Sequence, residues 1–331
     1  MSAASQHISS SSAGFDVDVI IIHRNTLAMT SACIESIFGS SIASRVRVIV
    51  VDNDSHDDSA TELEQAFADI TVVRAGENLG YGKACNLGAR HGTSPFVIFS
   101  NSDVLYTHTA IERLVSTLAK HRNCAVCGPQ QFFPDGSWQQ SYDHFPGVHL
   151  ALRNLFGLSA LFRHRQRKRL TLQHPERVPV PLSVPFLDGA VLAVRRVLFE
   201  EINGFDERYF FFCEDVELCH AFHRAGYGVL LDPSALVIHE RGFTRRRSLQ
   251  DDLRYLGANE RARAFFLRSH HGTFATRMAL VIGILHYGVI TVVLWLFLLI
   301  SPAGKRDRLR HRITVVQHLI AVCANELEKS P

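Results

Sequence analysis

The chain has 331 residues, enough for one large domain or for a domain with an appended segment, and we expect the second arrangement. A formal net charge of only +3 gives no support to nucleic-acid binding, so we expect no nucleic-acid partner. The seven cysteines are odd in number and scattered, which fits a reducing compartment better than a disulfide framework. We therefore expect a chain exposed to the cytosol.

The first folded element is expected near residue 17. Residues 1–15 are polar and serine-rich, with no apolar run behind a basic start, so we expect a disordered tail rather than a signal peptide. Beyond them, short β-branched runs alternate with longer amphipathic stretches, which is typical of an α/β domain with a largely parallel sheet. The predicted strands are 17–22, 46–51, 70–74 and 96–99, and the predicted helices are 28–38, 59–68, 81–91 and 109–121.

Polar clusters follow three of these strands. In open parallel sheets, ligands bind beyond the carboxyl ends of the strands. We therefore expect a ligand site built from these clusters, which are His23, Arg24 and Asn25; Asp52, Asn53, Asp54 and Ser55; and Asn101, Ser102 and Asp103.

The pattern becomes irregular after the first half of the chain. Residues 145–182 carry basic residues and several prolines, and we expect a loop or excursion there. Beyond it the periodicity predicts a helix at 216–224, strands at 229–231 and 236–238, and a long helix at 249–268.

The C-terminal region is expected to associate with a membrane. Residues 278–300 carry no formal charge and are long enough to cross a bilayer, although a buried helical hairpin is the alternative. Basic residues flank the segment on both sides, which favours a re-entrant or in-plane arrangement over a single crossing. In the last segment, one helical face carries apolar residues, as an interfacial helix would: Leu309, Ile313, Val316, Ile320 and Cys323.

Two sequence regions supply residues suited to metal and base chemistry. Asp103 ends a strand where a carboxylate can reach a divalent cation, with Asn101 beside it, although the same residues could simply form a turn or helix cap. His239 follows an apolar strand and is a suitable further ligand for manganese or magnesium. Glu214 and Asp215 open a helix, where they could act as caps or where Asp215 could serve as a general base.

The order of these motifs resembles family 2 of the glycosyltransferases, in particular its bacterial rhamnosyltransferase-like branch. The resemblance covers residues 17–239 and rests on the segments VDVIIIHRNT, VIVVDNDSHDDS, ENLGYGKACNLGAR, FSNSDV, FLDGAVLAVRRVLFEEINGFDERYFFFCEDVELC and ALVIHERG. It implies a GT-A-like nucleotide-binding domain at 16–272 with a mostly parallel central sheet. Residues 273–331 would then form membrane-associated helices.

The resemblance also implies roles for individual residues. Asp103 and His239 match the ligands of a Mn²⁺ or Mg²⁺ ion, and Asp215 matches the catalytic base. Asp188, Gly189 and Glu214 match the acceptor side. The residues expected to bind the nucleotide sugar are Arg24, Asp52, Asn53, Asn78, Gly80, Asn86, Asn101, Ser102 and Asp103. The sequence departs from the common pattern at Asn101 and at His23 and Arg24, where many relatives carry Asp and Asn-Tyr.

The expected function is therefore a metal-dependent inverting glycosyltransferase at the cytoplasmic face of the inner membrane. It would move rhamnose or a similar sugar from a nucleotide-diphosphate donor to a lipid-linked glycan acceptor. We also expect residues 241–247 to fold over the diphosphate as an arginine clamp. A nucleotidyltransferase would need a glycine-rich basic loop after the first strand, which is absent here, and a catalytically inactive glycan-binding or scaffold protein is the other alternative.

Overall fold

The computed structural model describes residues 16–169, 181–240 and 248–329. The clamp predicted at 241–247 lies outside these ranges. The described strands are β1 (Val17–His23), β2 (Val46–Asp52), β3 (Ile70–Arg74), β4 (Phe96–Asn101), β5 (Val104–Tyr106), β6 (Cys124–Phe132), β7 (Trp138–Gln139), β8 (Tyr142–Asp143), β9 (Leu182–Ser183), β10 (Phe186–Leu187), β11 (Val191–Arg195) and β12 (Gly228–His239). The described α-helices are α1 (Leu27–Phe38), α2 (Ser59–Ala66), α3 (Tyr81–Ala89), α4 (Ala110–Lys120), α5 (Val148–Leu155), α6 (Leu158–Arg169), α7 (Arg196–Glu201), α8 (Glu214–Arg224), α9 (Leu249–Ile300) and α10 (Ala303–Glu328).

A ten-stranded sheet forms the centre of the fold, in the order β3-β2-β1-β4-β11-β6-β12-β5, with β7 beside β6 and β9 beside β12. Strands β1 to β4 are mutually parallel, β12 is parallel to β6, and β11 runs antiparallel between β4 and β6. The prediction of an α/β fold with a mostly parallel sheet is confirmed. Because β1 and β2 are parallel and in register, His23 pairs with Asp52 and their polar ends lie at one edge of the sheet.

Helices cover both faces of the sheet. Ile20 and Phe99 pack on one face with Ala84 of α3 and Phe222 of α8, while Ile21 packs on the other with residues of α1 and α4. Strands buried on both faces read as continuous β-branched runs, which is why the first four strands were predicted to within two residues.

Two predictions for the middle of the chain were wrong. Residues 145–182 contain α5 and α6 rather than only irregular structure, and α5 packs Ala151 against Leu267 and Ala279 of α9. The two strands expected at 229–231 and 236–238 form one strand, β12, with a register shift between Asp232 and Leu236. Pro233 lies within this shift, where it has no ladder hydrogen bond to donate.

The two C-terminal helices form an antiparallel hairpin. Leu280 of α9 packs with Cys323 of α10, and Leu294 packs with Ile313, so α10 runs back along α9. A capping box at Ser248 begins α9, and non-helical dihedrals at Gly272 (φ 75°) interrupt it. Much of the apolar face predicted at 309–323 to lie against a membrane therefore packs against α9.

The apolar half of α9 is largely exposed. It is the one helix in the described residues that is long and apolar enough to cross a membrane. Only 11% of its most apolar window is buried, so the rest of the described chain does not cover this window. Exposed large side chains in this half are Met278, Val281, Leu285, Val289, Val292, Val293, Trp295, Leu296, Phe297, Leu299 and Ile300.

Candidate active site

Asp103 and His239 meet where the turn between β4 and β5 lies beside the end of β12. Strand β5 pairs antiparallel with β12, placing Val104 opposite His239, and the Glu240 backbone N–H donates to the Asp103 carbonyl at 3.0 Å. This pairing brings Asp103 Oδ1 to 3.2 Å from His239 Nε2, with both side chains largely buried. Asp103 and His239 are 136 positions apart in the sequence, and the pairing of β5 with β12 brings them together.

Two buried glutamines orient the His239 ring. Gln139 Oε1 lies 2.7 Å from His239 Nδ1, and Gln131 Oε1 lies 3.2 Å from it. The Gln139 amide nitrogen donates to the His239 carbonyl at 3.0 Å, which fixes its oxygen toward the ring. Because an amide oxygen only accepts, Nδ1 carries a proton, and Nε2 faces Asp103. Neither glutamine was predicted.

This arrangement fits a divalent cation. A neutral His239 would turn the Nε2 lone pair toward the Asp103 carboxylate, and two acceptors at 3.2 Å need a cation or a proton between them. A histidine that binds a metal through one ring nitrogen usually donates a hydrogen bond from the other ring nitrogen, as Nδ1 does here.

The predicted acceptor-side residues connect to this pair through Gln131. Its amide nitrogen donates to Asp188 Oδ1 at 2.6 Å, and the next backbone N–H, that of Gly189, donates to Asp215 Oδ2 at 2.7 Å. The Tyr81 hydroxyl donates to the Gly189 carbonyl at 2.6 Å and so supports the same turn. A continuous series of contacts therefore joins Asp103 and His239 to Asp215.

The carboxyl groups of Glu214 and Asp215 lie next to each other at the start of α8. Burial, and then the charge of Asp188, raise the pKa of Asp215, although backbone N–H groups of Val216 and Gly189 oppose the shift. Burial and the charge of Asp215 raise the pKa of Glu214 as well. Glu214 Oε2 is buried with no hydrogen-bond partner among the described residues, so Glu214 is the member better suited to keep a proton.

The residues expected near the nucleotide lie at the ends of β2 and α3. Asn53 donates to the Gly80 carbonyl at 3.1 Å and accepts from the Leu79 backbone at 2.8 Å, while Asn78 accepts from the Gly80 N–H at 3.1 Å. Asp52 accepts from the Ser55 backbone at 3.1 Å. These bonds tie the end of β2 to the loop that enters α3.

The remaining expected nucleotide-sugar residues have local partners. The Asn86 side chain bonds both the N–H and the carbonyl of Phe205, at 2.9 Å each, so it fixes that loop. The Asn101 N–H donates to Ala190, and Ser102 accepts from Thr26. Arg24 is partly exposed and donates to the Asp54 carbonyl at 3.2 Å.

Beside Arg24, His23 is fully buried. Its ring nitrogens lie 2.7 Å from Thr30 Oγ1 and Ser59 Oγ, and burial lowers its pKa. His23 therefore supports the end of β1 and presents no face to a ligand.

Comparison with known proteins agrees with the fold. A model of the family described as glycosyl transferase family 2 matches residues 18–202. N-acetylglucosaminyl-diphospho-decaprenol L-rhamnosyltransferase of Mycobacterium tuberculosis is 30% identical over 242 residues, covering 68% of this chain and 76% of that protein. An O-antigen chain rhamnosyltransferase of Salmonella anatum is 24% identical, covering 62% of this chain and 59% of its own length.

Two solved structures share the fold. A mannosyltransferase of Pyrobaculum calidifontis, in complex with GDP-Man and Mn²⁺, has a TM-score of 0.59 at 16% identity, covering 96% of this chain and 88% of its own. GalNAc-T7 with UDP, GalNAc and Mn²⁺ has a TM-score of 0.54 at 15% identity, covering 77% of this chain and 50% of its own. The fold and the relatives define a nucleotide-sugar glycosyltransferase with a GT-A-like domain. The chain belongs to glycosyl transferase family 2, as the order of its motifs predicted.

Proposed function

We propose that the chain is a metal-dependent inverting glycosyltransferase that transfers rhamnose or a similar sugar from a nucleotide diphosphate to a lipid-linked glycan. The observation that carries the proposal is the series of contacts from Asp103 and His239 through Gln131 and Asp188 to the turn that binds Asp215. These contacts link three side chains that are far apart in sequence, which supports assigning them to one site.

Asp103 and His239 are the residues that would bind Mn²⁺ or Mg²⁺. Such an ion, when bound, neutralises charge that develops on a diphosphate leaving group. The protein's own contribution is to fix the orientation and the tautomer of the His239 ring through Gln139, so that Nε2 is the nitrogen turned toward the ion. On the donor side, Asn53, Asn78 and Gly80 form the hydrogen-bonded edge proposed to contact the nucleotide.

Asp215 is the proposed base. One carboxylate oxygen accepts from the Gly189 N–H at 2.7 Å and the other from the Val216 N–H at 2.8 Å, which fix its plane. It takes the proton of the acceptor hydroxyl while that oxygen bonds to the anomeric carbon and the bond to the diphosphate breaks, which inverts the configuration. Because burial and Asp188 raise its pKa, Asp215 is a stronger base than an exposed aspartate.

The C-terminal hairpin is proposed to lie on the membrane rather than to cross it. Exposed apolar residues such as Leu296 and Phe297 cover one side of α9, and α10 runs along the other with exposed basic residues such as Arg310 and Arg312. Inserting the whole hairpin into the bilayer would also bury the charged side chains of α10, at a large cost in free energy. An in-plane position buries the apolar face alone. A lipid-linked acceptor on the cytoplasmic face fits this placement.

Transfer assays with Mn²⁺ test the proposal. The full chain in detergent is given a nucleotide-sugar panel and a lipid-linked acceptor, and Asp215→Asn is compared with Asp69→Asn, a change at an exposed turn. We expect Asp215→Asn to bind donor but to lose transfer by at least about a hundredfold, and Asp69→Asn to match the wild type. Transfer by Asp215→Asn at the wild-type rate would refute the base assignment, and wild-type activity unaffected by EDTA would refute the metal dependence. A wild type inactive with every donor would favour the scaffold alternative.

A further inference from the structure

Three side chains with metal-binding atoms meet on a part of α8 that the proposed reaction does not use. Glu217 and His220 are three residues apart on α8 and therefore share a helix face, and His270 of α9 lies against them. One potential ligand atom from each residue lies within 4.8 Å of those of the other two. The cluster joins α8, whose first turn carries Asp215, to α9, the long helix that continues into the apolar segment.

The carboxylate of this cluster is already oriented. Glu217 Oε2 lies 2.6 Å from His270 Nε2 and accepts from the Tyr209 hydroxyl at 3.1 Å. The rings of His220 and His270 are 4.1 Å apart between centroids. A tyrosine bonded to the carboxylate is the kind of outer partner that fixes a metal ligand.

His220 has an unused hydrogen-bonding atom. Its Nδ1 is buried and has no hydrogen-bond partner among the described residues, while Phe145 and Phe266 pack edge-on against the ring at 5.3 Å. Burial, and then the nearby His270, lower the pKa of His220 to about 4, so the ring is neutral and able to bind a cation. An ion pair between Glu217 and His270 alone explains neither the position of His220 nor this free nitrogen.

We propose that Glu217, His220 and His270 bind one divalent transition-metal cation of the zinc class, which ties α8 to α9. Two imidazoles and one carboxylate match zinc, with a fourth position left to water. His270 lies two residues before Gly272, where α9 is interrupted. The cation would thus fix the interruption in the long helix against the helix that presents Asp215. This site is separate from the Asp103 and His239 pair and does not depend on the transfer reaction.

Zinc binding to the full chain in detergent, after chelator treatment, tests the proposal. The test variant is His220→Phe, which keeps an aromatic ring between Phe145 and Phe266. The control variant is His223→Phe on the same helix. His223 is more exposed and contacts the Pro185 carbonyl. Asp103→Asn removes any zinc that binds at the Asp103 and His239 pair. Bound zinc is counted by elemental analysis, ligand type is read from the visible spectrum of the cobalt form, and stability is followed by thermal unfolding.

We expect Asp103→Asn and His223→Phe each to retain one equivalent of bound zinc. In His220→Phe the affinity for this zinc should be at least about tenfold lower. Zinc should raise the unfolding temperature of His223→Phe but not that of His220→Phe, because a ligand stabilises only a fold that binds it. The proposal is overturned if His220→Phe binds zinc as the wild type does. It is also overturned if the zinc is lost in Asp103→Asn, or if no variant binds zinc.

Discussion

Replacing Gln139 with leucine tests whether the orientation of His239 serves a metal ion. Gln139 is 1% exposed, and its oxygen is the nearer of two acceptors at His239 Nδ1, 2.7 Å away against 3.2 Å for Gln131. Loss of an outer partner typically weakens metal affinity 10- to 100-fold. Because Gln131 still accepts from the ring, we expect a loss near the lower limit, about tenfold or roughly 1.4 kcal/mol in Mn²⁺ binding free energy. Replacing Gln131 as well should bring the loss toward about a hundredfold.

The assay is a Mn²⁺ titration of sugar transfer at saturating donor. We expect the half-activating Mn²⁺ concentration of Gln139→Leu to rise about tenfold while the rate at saturating Mn²⁺ stays near the wild-type value, because excess metal restores occupancy. Gln140→Leu is the control, since Gln140 bonds the Tyr142 carbonyl and Asp143 instead. An unchanged Mn²⁺ requirement in Gln139→Leu, or an equal change in both variants, would refute the reasoning.

Three further predictions concern the proposed base Asp215, the loop that enters α3 and the C-terminal hairpin. Asp215 acts as a base only when it is ionised, so kcat/KM should decrease at pH values below the pKa of Asp215. Asp188→Asn removes a charge that raises this pKa, so the acid limb of the pH profile should move to lower pH. An acid limb that does not move would count against Asp215 as the base. Gly80→Ala should destabilise the fold by about 3 kcal/mol in urea unfolding, because φ is +77° and the new Cβ would lie 2.0 Å from the Phe210 carbonyl oxygen. Gly76→Ala, with φ +79° and nothing within 4 Å, should cost only about 1 kcal/mol, so equal losses would contradict the steric argument. Leu296→Glu should reduce flotation with anionic vesicles, whereas equal flotation of variant and wild type would rule out α9 as the membrane contact.

The strands and the family were predictable from sequence because their signals are local. A strand buried on both faces is a β-branched run, and each polar cluster at a strand end follows its own strand. Helices α5 and α6 were missed because their signal is not local. The packing partners of Ala151 are Leu267 and Ala279, more than a hundred residues further along the chain, and α6 is strongly basic. Tertiary contacts decided the structure of this region.

The residues that support the candidate site were not predictable for a related reason. Gln131 and Gln139 lie on β6 and β7, where nothing local distinguishes a glutamine that orients a histidine from one exposed to solvent. The separate cluster that contains His220 and His270 was not predictable either, because the contact between their helices depends on how α9 packs. Sequence order identified the groups proposed to act on substrate, while the groups that position them required the structure.

The turn before α8 connects α9 to the candidate active site. Phe212 and Cys213 have left-handed dihedrals, with φ of 70° and 63°, immediately before Glu214 and Asp215. Two such residues that are not glycine cost about 1–3 kcal/mol each and persist only when their surroundings fix them. The ring of Phe212 lies 6.0 Å from that of Tyr255 in α9, and Cys213 packs in a cluster with residues of the same helix. The first half of α9 therefore stabilises the strained turn that presents the proposed base, and the same helix continues into the apolar segment. A change in the position of that segment is thus expected to reach the turn.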